Sequence, residues 1–146
     1  MLDLILAILH HLAVFSLVAT LAMEGAMLRA PVVDVSRLAR LDARFGMTAG
    51  LVVVIGVGRV IWGGKGWAFY EANPFFWAKI AMFAAIGLVS VAPTLLFLRW
   101  RKAAAGDAGF VPPADQLKRA RLAVGLQALL LVPLLGFAAA MARWPF

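Results

Sequence analysis

Four long apolar runs dominate the chain, at residues 4–28, 46–62, 75–98 and 122–142. A helix crosses a hydrocarbon core with about 20 apolar residues. The pattern therefore predicts an all-α integral membrane bundle of four transmembrane helices, folded as one domain over residues 1–146. The second run is short, but a polar approach precedes it. In 35–45, Leu38, Leu41 and Phe45 share one side, and Arg37, Arg40 and Arg44 another. Spacing of three to four residues makes this an amphipathic helical stretch, either lying at the headgroups or forming a solvated helix end. Asn73 and Pro74 read as N-cap and first residue of the third helix. Gly106, Gly109, Pro112 and Pro113 mark 103–113 as a flexible loop. The first run lacks the basic start of a signal peptide, carries Asp3, and exceeds the usual apolar length of roughly 7–15 residues. It reads as a retained membrane helix.

Composition strengthens this picture. Of 146 residues, 64% are hydrophobic and 14% charged, which leaves too little polar surface to wrap a soluble globule. Cysteine is absent, so disulfides, thiolate metal sites and thiol catalysis are excluded. The net charge of +7 comes from residues placed almost entirely between the apolar runs. That placement points to lipid headgroups as partners rather than to nucleic acid, for which no recognition module is present.

The basic residues also orient the chain. Segment 29–45 holds Arg29, Arg37, Arg40 and Arg44; segment 99–121 holds Arg99, Arg101, Lys102, Lys118, Arg119 and Arg121. The second connection has only Lys65 and the tail only Arg143. Positive charge concentrates on the cytoplasmic side. Loops 29–45 and 99–121 are therefore expected inside, with both termini outside. Trp62, Trp67, Phe69, Tyr70, Phe75, Phe76, Trp77, Trp144 and Phe146 all fall on that outer side, as an interfacial anchoring belt does.

Ionisable groups within a bilayer are costly and each is a functional candidate. Here they are His10, His11, Glu24, Arg59 and Lys79. The expected topology puts His10, His11, Arg59 and Lys79 in the outer third of the membrane, on three different helices. Steps of three and four residues connect Glu24, Thr20, Leu17, Ala13 and His10 into one seam. If Glu24 faces the bundle, His10 faces it too and His11 points elsewhere. Arg59, Gly56, Val52 and Ala49 form a small-residue face on the second helix, and Gly46 and Gly50 add a GxxxG. Glu24 lies near the inner interface, where Arg29, Arg99 or Gln127 are candidate partners, and its role is structural or proton-handling.

Two readings of the outer residues stand side by side. One is a hydrogen-bonded structural network, with Arg59 and Lys79 snorkelling. The other is a cofactor site. Haem b is the cofactor considered first, with neutral His10 as the metal ligand and His11 as its substitute. Both histidines are on one helix, so a second axial ligand has to be Lys79, Met82, water or a group from another protomer. Arg59 suits a propionate. The lack of Cys and of paired carboxylates at that level argues against zinc or copper. No catalytic nucleophile–base set, phosphate loop or metalloprotease motif is present.

Several stretches carry a resemblance. They are Leu9, His10, His11, Leu12 and Ala13 with Glu24; Arg40 through Gly46; Asn73 through Lys79; and Arg99, Trp100 and Arg101. Over nearly the whole chain, these resemble a family of bacterial inner-membrane proteins known only as a domain of unknown function. More distantly, Leu9 with His10, and Trp77 through Ile80, are similar to elements of the four-helix membrane protoporphyrinogen IX oxidases and related b-type haem membrane proteins. In that family a first-helix histidine and a lysine opening the third helix are the functional pair, and the resemblance implies the same roles for His10 and Lys79. Glu24, the doubled histidine and the missing Pro-Arg element after the first helix depart from that pattern.

These readings lead to three expectations for a multi-pass protein of the bacterial inner membrane. It is a b-type haem or porphyrin-handling redox protein. Alternatively it is a non-catalytic accessory or stabilising subunit of a larger membrane complex, respiratory in kind, or of a homo-oligomer. A small transporter or proton pathway using Glu24 and His10 ranks third, since four short helices leave little room for alternating access.

Overall fold

The structure is a computed structural model and describes residues 1–145. Phe146, one of the residues assigned to the aromatic belt, lies outside the described residues. The elements are α1 (Leu2–Leu28), α2 (Val35–Trp62), α3 (Trp67–Ala72), α4 (Pro74–Gly106) and α5 (Ala114–Arg143). All but α3 are long and apolar enough to cross a membrane. They alternate in direction, so both termini and the α2–α4 connection share one end, here the termini end. The 29–34 and 107–113 connections share the other, here the basic end.

Local chemistry explains the boundaries. The Asp34 carboxylate caps α2 by accepting from the Arg37 backbone N–H at 2.9 Å. Asn73 caps α4 by accepting from the Phe75 N–H at 3.0 Å, and Pro74 sits in the first turn, where its missing N–H costs nothing. The Asn73 side chain also donates to the Met141 carbonyl at 3.1 Å, tying α4 to α5 at the termini end.

The helices outrun the apolar runs. Segment 35–45 is not a loop but forms the opening turns of α2, continuous with the span. Leu38, Ala39, Leu41, Asp42 and Phe45 are buried there, while Arg37, Arg40 and Arg44 are exposed on the other side. Nothing between the Asp34 cap and Gly63 breaks the helix, so the amphipathic stripe and the span merge. Likewise 103–106 belongs to α4, and 114–121 to α5. Trp100 is buried and donates from Nε1 to Gln116 Oε1 at 2.8 Å, which zips the two helices beyond the apolar core. Hydropathy alone stops at the first Arg, whereas helix propensity and packing do not.

α1 pairs most extensively with α2, and α4 with α5; α2 against α4 and α1 against α5 close the bundle. Packing is uneven along its length. All buried residues of α1 lie from Leu17 to Leu28, and those of α5 from Ala120 to Leu134. The dense core, with Leu17, Leu21, Phe45, Ile86, Phe97 and Trp100, therefore occupies the basic half. Toward the termini end the first four turns of α1 bury no residue. Phe15, Val54, Leu88, Leu129 and Val132 face outward, as lipid-facing side chains do.

Candidate functional site

The antiparallel register of α1 and α2 follows from two contacts. A Cβ on Gly56 would lie 3.5 Å from His10 Cε1, and one on Gly63 would lie 3.2 Å from Asp3 Oδ1. Carried along both helices, this register sets Glu24 opposite Asp42. Two polar layers result.

The layer nearer the termini end contains His10, Arg59 and Lys79. Gly56 lets α2 come close to the His10 ring; a Cβ there would make ordinary van der Waals contact, so any longer side chain would compete for the ring's space. Arg59 lies one turn beyond Gly56, and the charges of Arg59 and Lys79 both act on His10. Lys79 Nζ lies 5.7 Å from the Phe76 ring centroid, a weak cation–π contact. His10 Nδ1 and Arg59 Nε are buried and have no hydrogen-bond partner. Among the described residues the one ion pair is Arg119–Asp115 at 3.8 Å, so no carboxylate pairs with His10, Arg59 or Lys79 within 4.0 Å.

His11 is not part of this convergence. It is exposed, its ring stands perpendicular to that of His10 at 6.4 Å, and its Nδ1 donates to the Ala7 carbonyl of its own helix at 2.6 Å. The 100° step between neighbouring helical residues separates the two rings.

The second layer lies toward the basic end, about 20 Å along α1 from His10 at about 1.5 Å per residue. Glu24 is 1% exposed and Asp42 7%. Thr94 of α4 donates from Oγ1 to Asp42 Oδ1 at 2.9 Å. Gln127 of α5 is 1% exposed. Glu24 Oε1 and Gln127 Oε1 are buried without partners. All four long helices contribute one polar side chain.

Of the partners expected for Glu24, Gln127 shares its layer, but neither arginine pairs with it. Arg29 Nη1 donates to the Gly25 carbonyl at 2.8 Å, and Arg99 is exposed. Arg121, a cation of the neighbouring helix, donates from Nε to the Leu28 carbonyl at 2.8 Å. These guanidiniums cap the carbonyl end of α1, where the unsatisfied acceptors and the negative end of the helix dipole attract them. Sequence reasoning misses Asp42 as a site residue because Arg40 and Arg44 flank it. A signal is present all the same: Asp42 sits four residues after Leu38 and three before Phe45, on the apolar stripe rather than the basic one.

A family described as "Predicted membrane protein (DUF2214)" matches residues 2–144. The chain belongs to this family. The match spans both polar layers and every helix of this family member, and its description gives no activity. No curated protein matches the chain, and no solved structure does.

The bundle has cavities among its described residues, two of which bear on the site. One, of about 60 Å³, sits between α1, α2 and α4, with Leu17, Phe45, Ala49 and Ser90 in its walls. The other, of about 240 Å³, opens between α4 and α5 beside Pro93, Arg99 and Arg119. Neither is lined by His10, Arg59 or Lys79. Among the described residues, no group of three or more His, Cys, Asp or Glu is placed to hold a metal ion.

Proposed function

We propose that this membrane protein handles a haem or a related acidic porphyrin at the termini-end layer, in the inner membrane of a bacterium. One observation supports the reading. His10, Arg59 and Lys79 converge from three helices with no carboxylate paired to them, and two of their buried nitrogens lack partners. Like charges gathered in a low-dielectric medium repel, and an anion among them relieves that repulsion. A membrane-soluble ligand with carboxylates, such as the propionates of a porphyrin, has the required chemistry. Arg59 suits a carboxylate as a bidentate partner, Lys79 as a point charge, and His10 carries the ring nitrogen that iron takes.

The residues fit the acidic edge of such a ligand better than its ring. His10 rests against Gly56, and the two cavities lie elsewhere and fall below the roughly 300–1,000 Å³ of ordinary ligand pockets. The first four turns of α1, which bury no residue, are where the bundle has least to lose by admitting a macrocycle.

Purification after expression with haem supply tests the reading. A Soret band is expected; His10→Ala shifts or removes it, Arg59→Gln weakens binding about tenfold through loss of a charge-assisted pair, and His11→Ala leaves it unchanged. Absence of the band, with His10→Ala altering neither spectrum nor stability, overturns the proposal. The accessory or stabilising subunit of a larger membrane complex, or a homo-oligomer, then leads, and native electrophoresis of the untreated membrane would show the assembly.

A further inference from the structure

The layer near the basic end is independent of the porphyrin reading, and its composition is opposite. It presents two carboxyl groups and an amide oxygen, and its only donor aimed at a carboxylate among the described residues is the Thr94 hydroxyl. Glu24 and Asp42 face each other across α1 and α2 and interact electrostatically. Two further contacts set the register of α5 against α1. Arg121 reaches the Leu28 carbonyl, and Val124 Cγ1 lies 3.8 Å from a Cβ on Gly25. One more turn carries Gln127 to the turn of Leu21 and Glu24. Gln127 shares the inward seam of α5 with Val124 and Leu131.

We infer that Glu24 and Asp42 form a proton-binding site at the centre of the four helices, holding one exchangeable proton between them. Two carboxylates that face each other at this depth of burial do not both carry charge when no cation is paired with either, as is so among the described residues. A proton on Glu24 converts an unpartnered acceptor into an O–H donor, and the Asp42 carboxylate and Gln127 Oε1 are the acceptors it can serve. Thr94 holds Asp42 from the far side, which favours Asp42 as the ionised member and Glu24 as the carrier.

The groups packed around the site offer no competing counter-charge. On α1, Arg29 is spent on the Gly25 carbonyl; on α5, Arg121 is spent on the Leu28 carbonyl. α4 contributes the neutral Thr94, and its Arg99 is exposed. On α2, Arg40 and Arg44 are exposed, away from the buried face that carries Asp42. With only two carboxyls and no third His, Cys, Asp or Glu in place among the described residues, the donor set fits a proton better than a metal ion. The cavity of about 60 Å³ reaches Phe45 and Ser90, each about one turn from Asp42 or Thr94. Its size admits water, a source and acceptor for the proton.

Infrared difference spectroscopy of the full chain in lipid nanodiscs, titrated with pH in the absence of added cofactor, tests the site. The expected signal is a protonated-carboxyl C=O stretch at neutral pH that vanishes in alkali and is missing in Glu24→Gln. In Asp42→Asn the band persists but titrates at lower pH, because the neighbouring negative charge that holds the proton is gone. In Thr94→Val it titrates at higher pH, because Asp42 loses its hydrogen bond and gains proton affinity. Should Glu24→Gln fail to fold, these opposite shifts carry the test. A band unaffected by Glu24→Gln, titrations indifferent to Asp42→Asn and Thr94→Val, or a band abolished by sodium or calcium at constant pH each overturns the proposal, the last in favour of a cation site. Since no haem is present, failure here leaves the porphyrin reading untouched, and a missing Soret band leaves this one untouched.

Discussion

The two polar layers of this bundle are built to opposite rules. Toward the termini end, three basic side chains meet where α1 packs sparsely: His10, Arg59 and Lys79 are all half-buried, and the first four turns of α1 bury no residue. Toward the basic end, two carboxyls, an amide and a hydroxyl meet inside the densest part of the core, beside Leu17, Leu21 and Phe45. A half-buried cationic cluster can recruit an outside anion, because its neighbours are able to move. An enclosed acidic cluster without a paired cation has to be neutralised from within, and a proton is the smallest ligand that can do so. The difference separates a layer suited to exchanging a ligand from one suited to holding a charge state.

The largest effect that could break this comparison is all-or-none. Reporter fusions at Gly64 and Gly106 should report opposite sides of the membrane, with Gly106 cytoplasmic, because ten basic residues flank the spans at the basic end against two at the termini end. Cytoplasmic reporting from Gly64 would exchange the compartments to which the two layers are nearest.

Stability should follow the packing. Trp100→Ala removes a buried indole and its hydrogen bond to Gln116, and should cost about 3–5 kcal/mol. Leu12→Ala, on an exposed position of α1 in the other half, should leave the thermal unfolding midpoint nearly unchanged. Equal losses in detergent-solubilised protein would mean that the two halves are packed alike, and the contrast would fall.

The smallest expected effect on the fold is also the most local. Gly56→Ala places its Cβ at ordinary contact with the His10 ring and should be tolerated; Gly56→Leu has to displace that ring. The larger side chain should abolish ligand binding at the termini-end layer while leaving the carboxyl infrared signal of the other layer intact. Loss of both signals would show that the layers are coupled through α2.

Much of this architecture is written in the chain itself. Four apolar runs of membrane-spanning length leave a bilayer-crossing helix bundle as the solution, because backbone groups in hydrocarbon must be satisfied within each segment. The 100° step per residue separates His10 from His11, and the Glu24–Leu17–His10 seam follows from the same periodicity. Helix ends are less legible: hydropathy falls at Arg99 and Arg121, yet Trp100 and Gln116 carry the packing further. The short α3, with buried Tyr70, has no periodic signal of its own. The partner of Glu24 is not legible at all. Arg29, Arg99 and Gln127 each suit a carboxylate, and nothing in the order of residues chooses among them; the place of Asp42 on the apolar stripe marks it as buried without setting it opposite Glu24. Only the antiparallel register of α1 on α2, set far away by His10 over Gly56, brings Asp42 to face it, because in a bundle the depth of one residue is decided by contacts made along the whole length of its helix.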